Sequence, residues 1–496
     1  MKNLFILKVN NIQILKRILL YVLFLFSFFA SHAQEVYLPV SDYSLTKEVH
    51  AKYKKKFYLT GFQAKLSNTK ASMQFTKMLN DQWSSIYVRD TLGYFLYSDS
   101  LTLRTKKIFD KIIAANTELQ GKEYLFLIYK DEFLNAVSMG EGIIALNMGL
   151  FSYIKNEDEI AFILAHELAH EYKNHVIGGM KAYCEAYNSK EFKSQVKDIK
   201  KMRYNKRDQI LALQASMNSE FLEHSRSNEL VADSLAAKFI ENAGYSKWSA
   251  ISTLKILDKL DEMYYKDTLD FKKYLDFKEY PFKSKWLVTE SKSDFWNYLK
   301  KEKEPLPDSL KTHPDCKIRI EKIVKENKID STGLNSFSLN KTNISFEIVN
   351  LLLEQGSYVE AFYHALKLKD EYPNEKFLDC AVAECLFHFA WAIKNKQFTS
   401  IVGFPNEDYP AGINQMYIFL NNCNSSTFLS FLAQYYKSNL DKTQSDFVNY
   451  IGILNKFYNE SDEMNLLKIK EFSTKTKNKS LNKRLNKYKP IKPKKK

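Results

Sequence analysis

Cysteine is scarce in this 496-residue chain: Cys184, Cys316, Cys380, Cys385 and Cys423, an odd number spread widely. At most two pairs could form, which argues against a disulfide scaffold as the basis of the fold. Long apolar runs are scarce too. After Gln34 no uninterrupted stretch approaches the roughly 20 residues of a membrane-spanning helix, so the chain beyond that point is expected to be soluble. Acidic residues are absent from two segments, 1–33 and 473–496, which hold 4 and 11 basic residues. These two segments carry the whole formal charge of +15, because the remaining 58 basic residues balance 58 acidic ones. A neutral body carries no electrostatic footprint for nucleic acid. The tail 473–496 reads as a basic, disordered, solvated extension. Contact with an anionic membrane surface is the other use of its charge.

The first 33 residues combine Lys2, Lys8, Lys16 and Arg17 with the apolar run Ile18 to Ala30 and the small residues of Ser31-His32-Ala33. This is the pattern of a secretory signal peptide cut after Ala33. An uncleaved N-terminal anchor is the alternative, since the basic region is long. No cysteine stands at the cleavage site, which argues against a lipoprotein. The expected location of the mature chain is the far side of a membrane.

The length exceeds what one hydrophobic core usually serves, so two folded regions are expected. Residues 34–100 read as a helical and loop extension. A helix over Leu103 to Leu119 leads to a buried strand, Tyr124 to Tyr129. Lys130 to Glu141, with turn-favouring Asn135 and Gly140, separates it from a second strand, Gly142 to Met148. Asn156 followed by Glu159 is close to a capping box and starts a long helix. Further helices are expected over Ser189 to Glu223, His224 to Ala243 and Trp248 to Met263. Residues 264–312, broken by Pro305 and Pro307, read as a lid-like insertion. A polar stretch, Glu326 to Thr342, marks a boundary before a second helical region, 343–472. The fold class is mainly α with a small β-sheet (α+β).

Within the capped helix lies Ala165-His166-Glu167-Leu168-Ala169-His170. Four-residue spacing puts both imidazoles on one helix face, one turn apart, where they can grip one ion. Imidazole nitrogens suit zinc, and Glu167 is placed to act as general base on a water rather than as a ligand. A catalytic zinc needs a third protein ligand. His175 is five positions past His170, so a straight helix turns it about 140° away from the metal, and it reads as structural. Downstream, Glu229 and Asp233 lie one turn apart on another helix, so a carboxylate ligand can come from there. The partner could accept the second N–H of a ligating imidazole.

Four segments together resemble the HtpX-like and CAAX-prenyl-protease-type zinc metalloendopeptidases, a gluzincin family. They are Asn135 to Met139 leading into Gly142 to Met148, the helix Ala165 to His175, Arg226-x-x-Glu229-x-x-Ala232-Asp233 with Ala243-Gly244-Tyr245, and Thr312-His313-Pro314 with Arg319-Ile320. The resemblance implies a zincin-like peptidase domain over 101–325. It implies one Zn2+ per chain on His166, His170 and Glu229, catalysis by Glu167, and support from Asp233 and Arg226. It also implies an exposed active-site strand, expected at Gly142 to Met148 with Asn135, Gly142, Ile143, Ile144 and Ala145 meeting substrate. His313 is implied near the metal, either steadying an oxyanion or occupying the open coordination site and holding the enzyme latent.

Lacking further membrane spans, the chain looks most like the soluble periplasmic members that add C-terminal tetratricopeptide repeats, which narrows the expected location to the periplasm or cell envelope. Gly356-Ser357-Tyr358-Val359-Glu360-Ala361 with Tyr372-Pro373 fits one such repeat. The expected substrates are misfolded or unassembled polypeptides, with envelope protein-assembly partners on the C-terminal helices. The competing function is a latent or inactive protease that acts as an assembly chaperone through those helices.

Overall fold

The computed structural model describes residues 66–485 apart from 98, 203, 260–263, 289–314, 328, 330–340, 407, 441–444, 458–467, 469–470 and 477. Of 214–224, 341–343, 457 and 479 only the backbone is described. The signal segment, His313, and residues 289–312 of the expected lid therefore lie outside the described residues.

The described residues are mainly α-helical with one four-stranded sheet. Helix α1 (Thr69–Thr91) precedes strand β1 (Phe95–Leu96), helix α2 (Ser100–Ala115) and strands β2 (Leu125–Tyr129), β3 (Ala136–Gly140) and β4 (Ile143–Asn147). The sheet order is β1-β2-β4-β3, with β2 and β4 parallel and both outer pairs antiparallel. Phe126, Ile128, Ile144 and Leu146 enter the main core, while Leu125, Leu127, Ile143 and Ala145 form a smaller core with Phe95 on the opposite face. Burial on both faces is why β2 and β4 read as unbroken apolar runs.

This corrects the expected edge. The strand beginning after Gly142 is interior, paired on both sides, and the edge next to it is β3, a segment read from the sequence as part of the connection between strands. The cause is a tight hairpin: Glu141 (φ 54) and Gly142 (φ 81) both adopt the left-handed conformation that joins β3 directly to β4. A Cβ on Gly142 would stand 2.2 Å from the Glu123 carbonyl oxygen.

Helix α3 (Glu157–Tyr172) starts where the sequence places it. Asn156 Oδ1 accepts the Glu159 N–H at 2.9 Å, and Glu159 Oε2 accepts the Lys155 N–H at 2.7 Å. After α3 come α4 (His175–Asn188), α5 (Lys190–Lys201), α6 (Lys206–Asn242), α7 (Trp248–Leu257), the short α8 (Phe271–Leu275) and α9 (Cys316–Glu326). The expected break at Glu223 is absent, since nothing there interrupts the helix. The break falls at Asn205, in the left-handed conformation (φ 57), and α6 runs unbroken for 37 residues.

The C-terminal helices α10 (Lys341–Gln355), α11 (Tyr358–Glu371), α12 (Lys376–Lys394), α13 (Ala411–Asn421), α14 (Ser425–Asn439) and α15 (Asp446–Phe457) share one continuous core with the elements that precede them. Residues 264–288, expected as part of a lid, pack onto these helices instead. Phe271 stacks on Phe419 with centroids 4.3 Å apart, Trp286 meets Phe431, and Tyr363 Oη donates to the Asp267 carbonyl at 2.9 Å. Aromatic side chains that found no period in sequence here find partners in another region. The basic tail is corrected as well: residues 479–485 form a helix, α16 (Lys479–Leu485), whose Arg484 is buried on Glu384 at 2.7 Å. All five cysteines are unpaired. Among the described residues no helix is long and apolar enough to cross a membrane.

Candidate metal centre

Helices α3 and α6 pack side by side and bring three predicted ligands together. His166 Nε2 and His170 Nε2 are 3.0 Å apart, and each faces one oxygen of Glu229, His166 at 3.4 Å and His170 at 3.2 Å. Donors held 2.0–2.1 Å from a tetrahedral ion are about 3.3 Å from one another. The His–His distance is near that spacing, the two Glu229 distances end on different oxygens, and one donor atom from each residue lies within 4.8 Å of the others, so the donor set fits a zinc ion in chemistry and lies close enough to share one. Among the described residues this is the cluster able to hold a metal.

The opposite nitrogens are held by neighbours. His166 Nδ1 lies 3.0 Å from Asp233 Oδ1, at ion-pair distance but without hydrogen-bond alignment. Asp233 is gripped in turn by Arg319, whose Nε and Nη2 donate to its two oxygens at 2.7 Å each. Nη1 of the same guanidinium stands 3.4 Å from Glu229 Oε2. Burial disfavours the His166 imidazolium, yet Asp233 and Glu229 outweigh it and hold its pKa up to about 10. Burial works against the Asp233 carboxylate in the same way, and Arg319 and His166 bring it below the ordinary range. Arg226 sits half-buried one turn before Glu229 on α6. Arg319 touches both Glu229 and Asp233, and in sequence it was only a fragment of the resemblance.

Glu167 faces the sheet. Its Oε2 accepts the Ser138 N–H of β3 at 2.6 Å. One turn on, Glu171 Oε1 accepts the Gly142 N–H at 3.0 Å and its Oε2 the Ser138 hydroxyl at 3.4 Å. Two carboxylates at i and i+4 thus clamp the β3–β4 hairpin to α3. Glu171 was missed in sequence, although its spacing from Glu167 was the available signal. Of the residues expected to meet substrate, Asn135 is exposed and its carbonyl accepts the Asn147 N–H, whereas Ile143, Ile144 and Ala145 are buried in β4.

His175 does not face away. Its Nδ1 lies 3.0 Å from His170 Nδ1. The straight-helix premise fails because α3 ends at Tyr172 and Asn174 turns left-handed (φ 56, ψ 34), which swings the first residue of α4 back beside the motif. Burial, followed by the neighbouring His170, brings the His175 pKa down to about 4.

Residues 100–327 match the family model of Peptidase family M48. They form an M48 peptidase domain. The M48 domain is a metallopeptidase domain of a zinc-dependent family, and it contains every residue of the cluster. The chain is also similar to the mitochondrial metalloendopeptidase OMA1 of Arabidopsis thaliana, 24% identical over 162 residues, which is 33% of this chain and 31% of that protein. A beta-barrel assembly-enhancing protease of Yersinia pestis is 28% identical over 85 residues, 17% of either chain. A putative beta-barrel assembly-enhancing protease of Vibrio cholerae serotype O1 is 27% identical over 103 residues, 21% of this chain and 18% of that protein. The chain therefore spans less than a third of each relative's length.

Proposed function

We propose that this chain is an exported zinc metalloendopeptidase of the cell envelope that cleaves misfolded or unassembled polypeptides. The observation that carries the reading is the His166, His170 and Glu229 cluster, close enough to share one ion, beside a carboxylate that anchors the sheet edge. Zinc, when bound, supplies a Lewis acid for the peptide carbonyl and lowers the pKa of water. Glu167 takes the proton from the attacking water and hands it to the leaving amine. The Ser138 N–H orients Glu167 for this, and Glu171 keeps the hairpin in place. An extended substrate adds to the edge strand β3 through backbone groups other than the Ser138 N–H, held by Glu167, and the Met139 carbonyl, held by Gln82, because backbone hydrogen bonds recognise an unfolded chain with little regard to its sequence. His313 joins this reading as a group beside the metal, and the lysines from Lys487 to Lys496 as a contact for anionic membrane. The hairpin of α10 and α11, turned at Gly356 (φ 87), supports a tetratricopeptide-like domain that docks assembly partners.

The test uses purified protein, casein and metal analysis. The expected result is one zinc per chain and cleavage of casein, with Glu167→Gln retaining the metal and losing activity by roughly 10²- to 10⁴-fold. Full activity in Glu167→Gln overturns the mechanism. Zinc without cleavage, together with retention of unfolded client by both forms, would favour the chaperone function instead.

A further inference from the structure

Two ring nitrogens 3.0 Å apart, His170 Nδ1 and His175 Nδ1, share one proton between them. The opposite nitrogen of His170 decides who owns it. His170 Nε2 points at His166 Nε2 and Glu229 Oε1, at 3.0 and 3.2 Å, and a nitrogen that donates to a metal must present a lone pair there. A neutral imidazole with a bare Nε2 carries its proton on Nδ1, so His170 donates and His175 Nδ1 accepts. The two motif histidines are therefore supported differently: His166 faces the Asp233 carboxylate, His170 a second imidazole. The ring planes of His170 and His175 stand at 76° with centroids 4.9 Å apart. That is an end-on approach of edges rather than a stacked pair.

We propose that His175 is a positioning residue that accepts the Nδ1 proton of His170 and so locks His170 in the tautomer able to bind the metal. The inference rests on the reading of His166, His170 and Glu229 as zinc ligands. The backbone supports it: a single left-handed residue, Asn174, ends one helix and starts the next so that this side chain returns to the site.

Two substitutions separate acceptor from filler. In His175→Asn the amide Oδ1 takes the place of Nδ1 and can accept the same proton, whereas His175→Leu keeps bulk and removes the acceptor. Zinc affinity of the full chain is measured by competition with a chromophoric chelator, with circular dichroism of the EDTA-treated proteins as the fold control. The expected loss for His175→Leu is about 10- to 100-fold, with His175→Asn close to wild type. Wild-type affinity in His175→Leu overturns the role, as does equal weakening in both variants. Should the leucine variant not fold, nitrogen-15 imidazole spectra of zinc-loaded wild type decide the matter. His170 protonated at Nδ1 with His175 protonated at Nε2 supports the proposal, and the opposite tautomer of His175 refutes it. Failure of wild type to bind zinc would overturn the metal reading itself, and this inference with it.

Discussion

Asp233 and Arg319 are 1% and 5% exposed, a buried pair beside a third buried charge, Glu229. Removing one partner of such a pair leaves an uncompensated charge, which is worth about 3–5 kcal/mol. Arg319→Leu should therefore destabilise the protein in EDTA by up to about that amount, because Glu229 and Asp233 would keep only the His166 imidazolium as a counter-charge. Arg319→Lys should cost less but lose the two-pronged grip, since an ammonium is a point charge. Urea unfolding in EDTA measures both, and equal stability of Arg319→Leu and wild type would show that the guanidinium is dispensable. At this scale the motif was legible where helix geometry alone sets distance, as for His166, Glu167 and His170. Spacing could not rank Glu229 against Asp233. The structure separates them by which ring nitrogen each one meets, Nε2 for Glu229 and Nδ1 for Asp233.

The elements that carry the site are α3 and the β3–β4 hairpin, and the hairpin depends on Gly142. Its left-handed φ and the Glu123 carbonyl 2.2 Å from a would-be Cβ leave no room for a side chain. Gly142→Ala should cost at least about 1–3 kcal/mol from backbone conformation alone. It should also loosen the Ser138 and Gly142 N–H groups from Glu167 and Glu171. The expected outcome is reduced casein cleavage with zinc content preserved, because the three proposed ligands stand on helices that the hairpin does not build. Loss of zinc in parallel with activity would contradict that division. The capped start of α3 was readable because Asn156 and Glu159 act locally. The edge strand was not, since Ala136 to Gly140 is too short for alternation to show and its turn needs two adjacent left-handed residues. His175 was misplaced for a related reason: helical periodicity assumes the helix continues, and one Asn in the left-handed conformation ends it.

Across the whole molecule, the segment that looked most like a solvated tail joins three distant parts. On α16, Arg484 meets Glu384 of α12, Ser480 donates to Asn350 of α10 at 2.8 Å, and Lys483 reaches Glu354 at 3.2 Å and the Leu92 carbonyl, ahead of β1, at 2.5 Å. The sequence hid this because the acids that balance these cations lie about a hundred residues or more away in the chain. Ending the chain before Lys479 should strand Glu384 in the core and cost about 3–5 kcal/mol. The pH dependence follows from Glu354. Its burial raises the carboxyl pKa, but Lys483, the Ser480 hydroxyl and Arg484 more than reverse this, leaving it below the ordinary value. A carboxylate depressed on folding stabilises above the unfolded pKa, about 4.3 for glutamate, and that contribution fades as pH falls through the lower folded value. Truncation removes the cations responsible. The stability gap between full-length and truncated protein, read from urea unfolding at a series of pH values, should therefore be widest near neutrality and narrow below about pH 4.3. A gap unchanged down to pH 3 would place the stabilisation in apolar contacts of Leu481 and Leu485 rather than in this charge network.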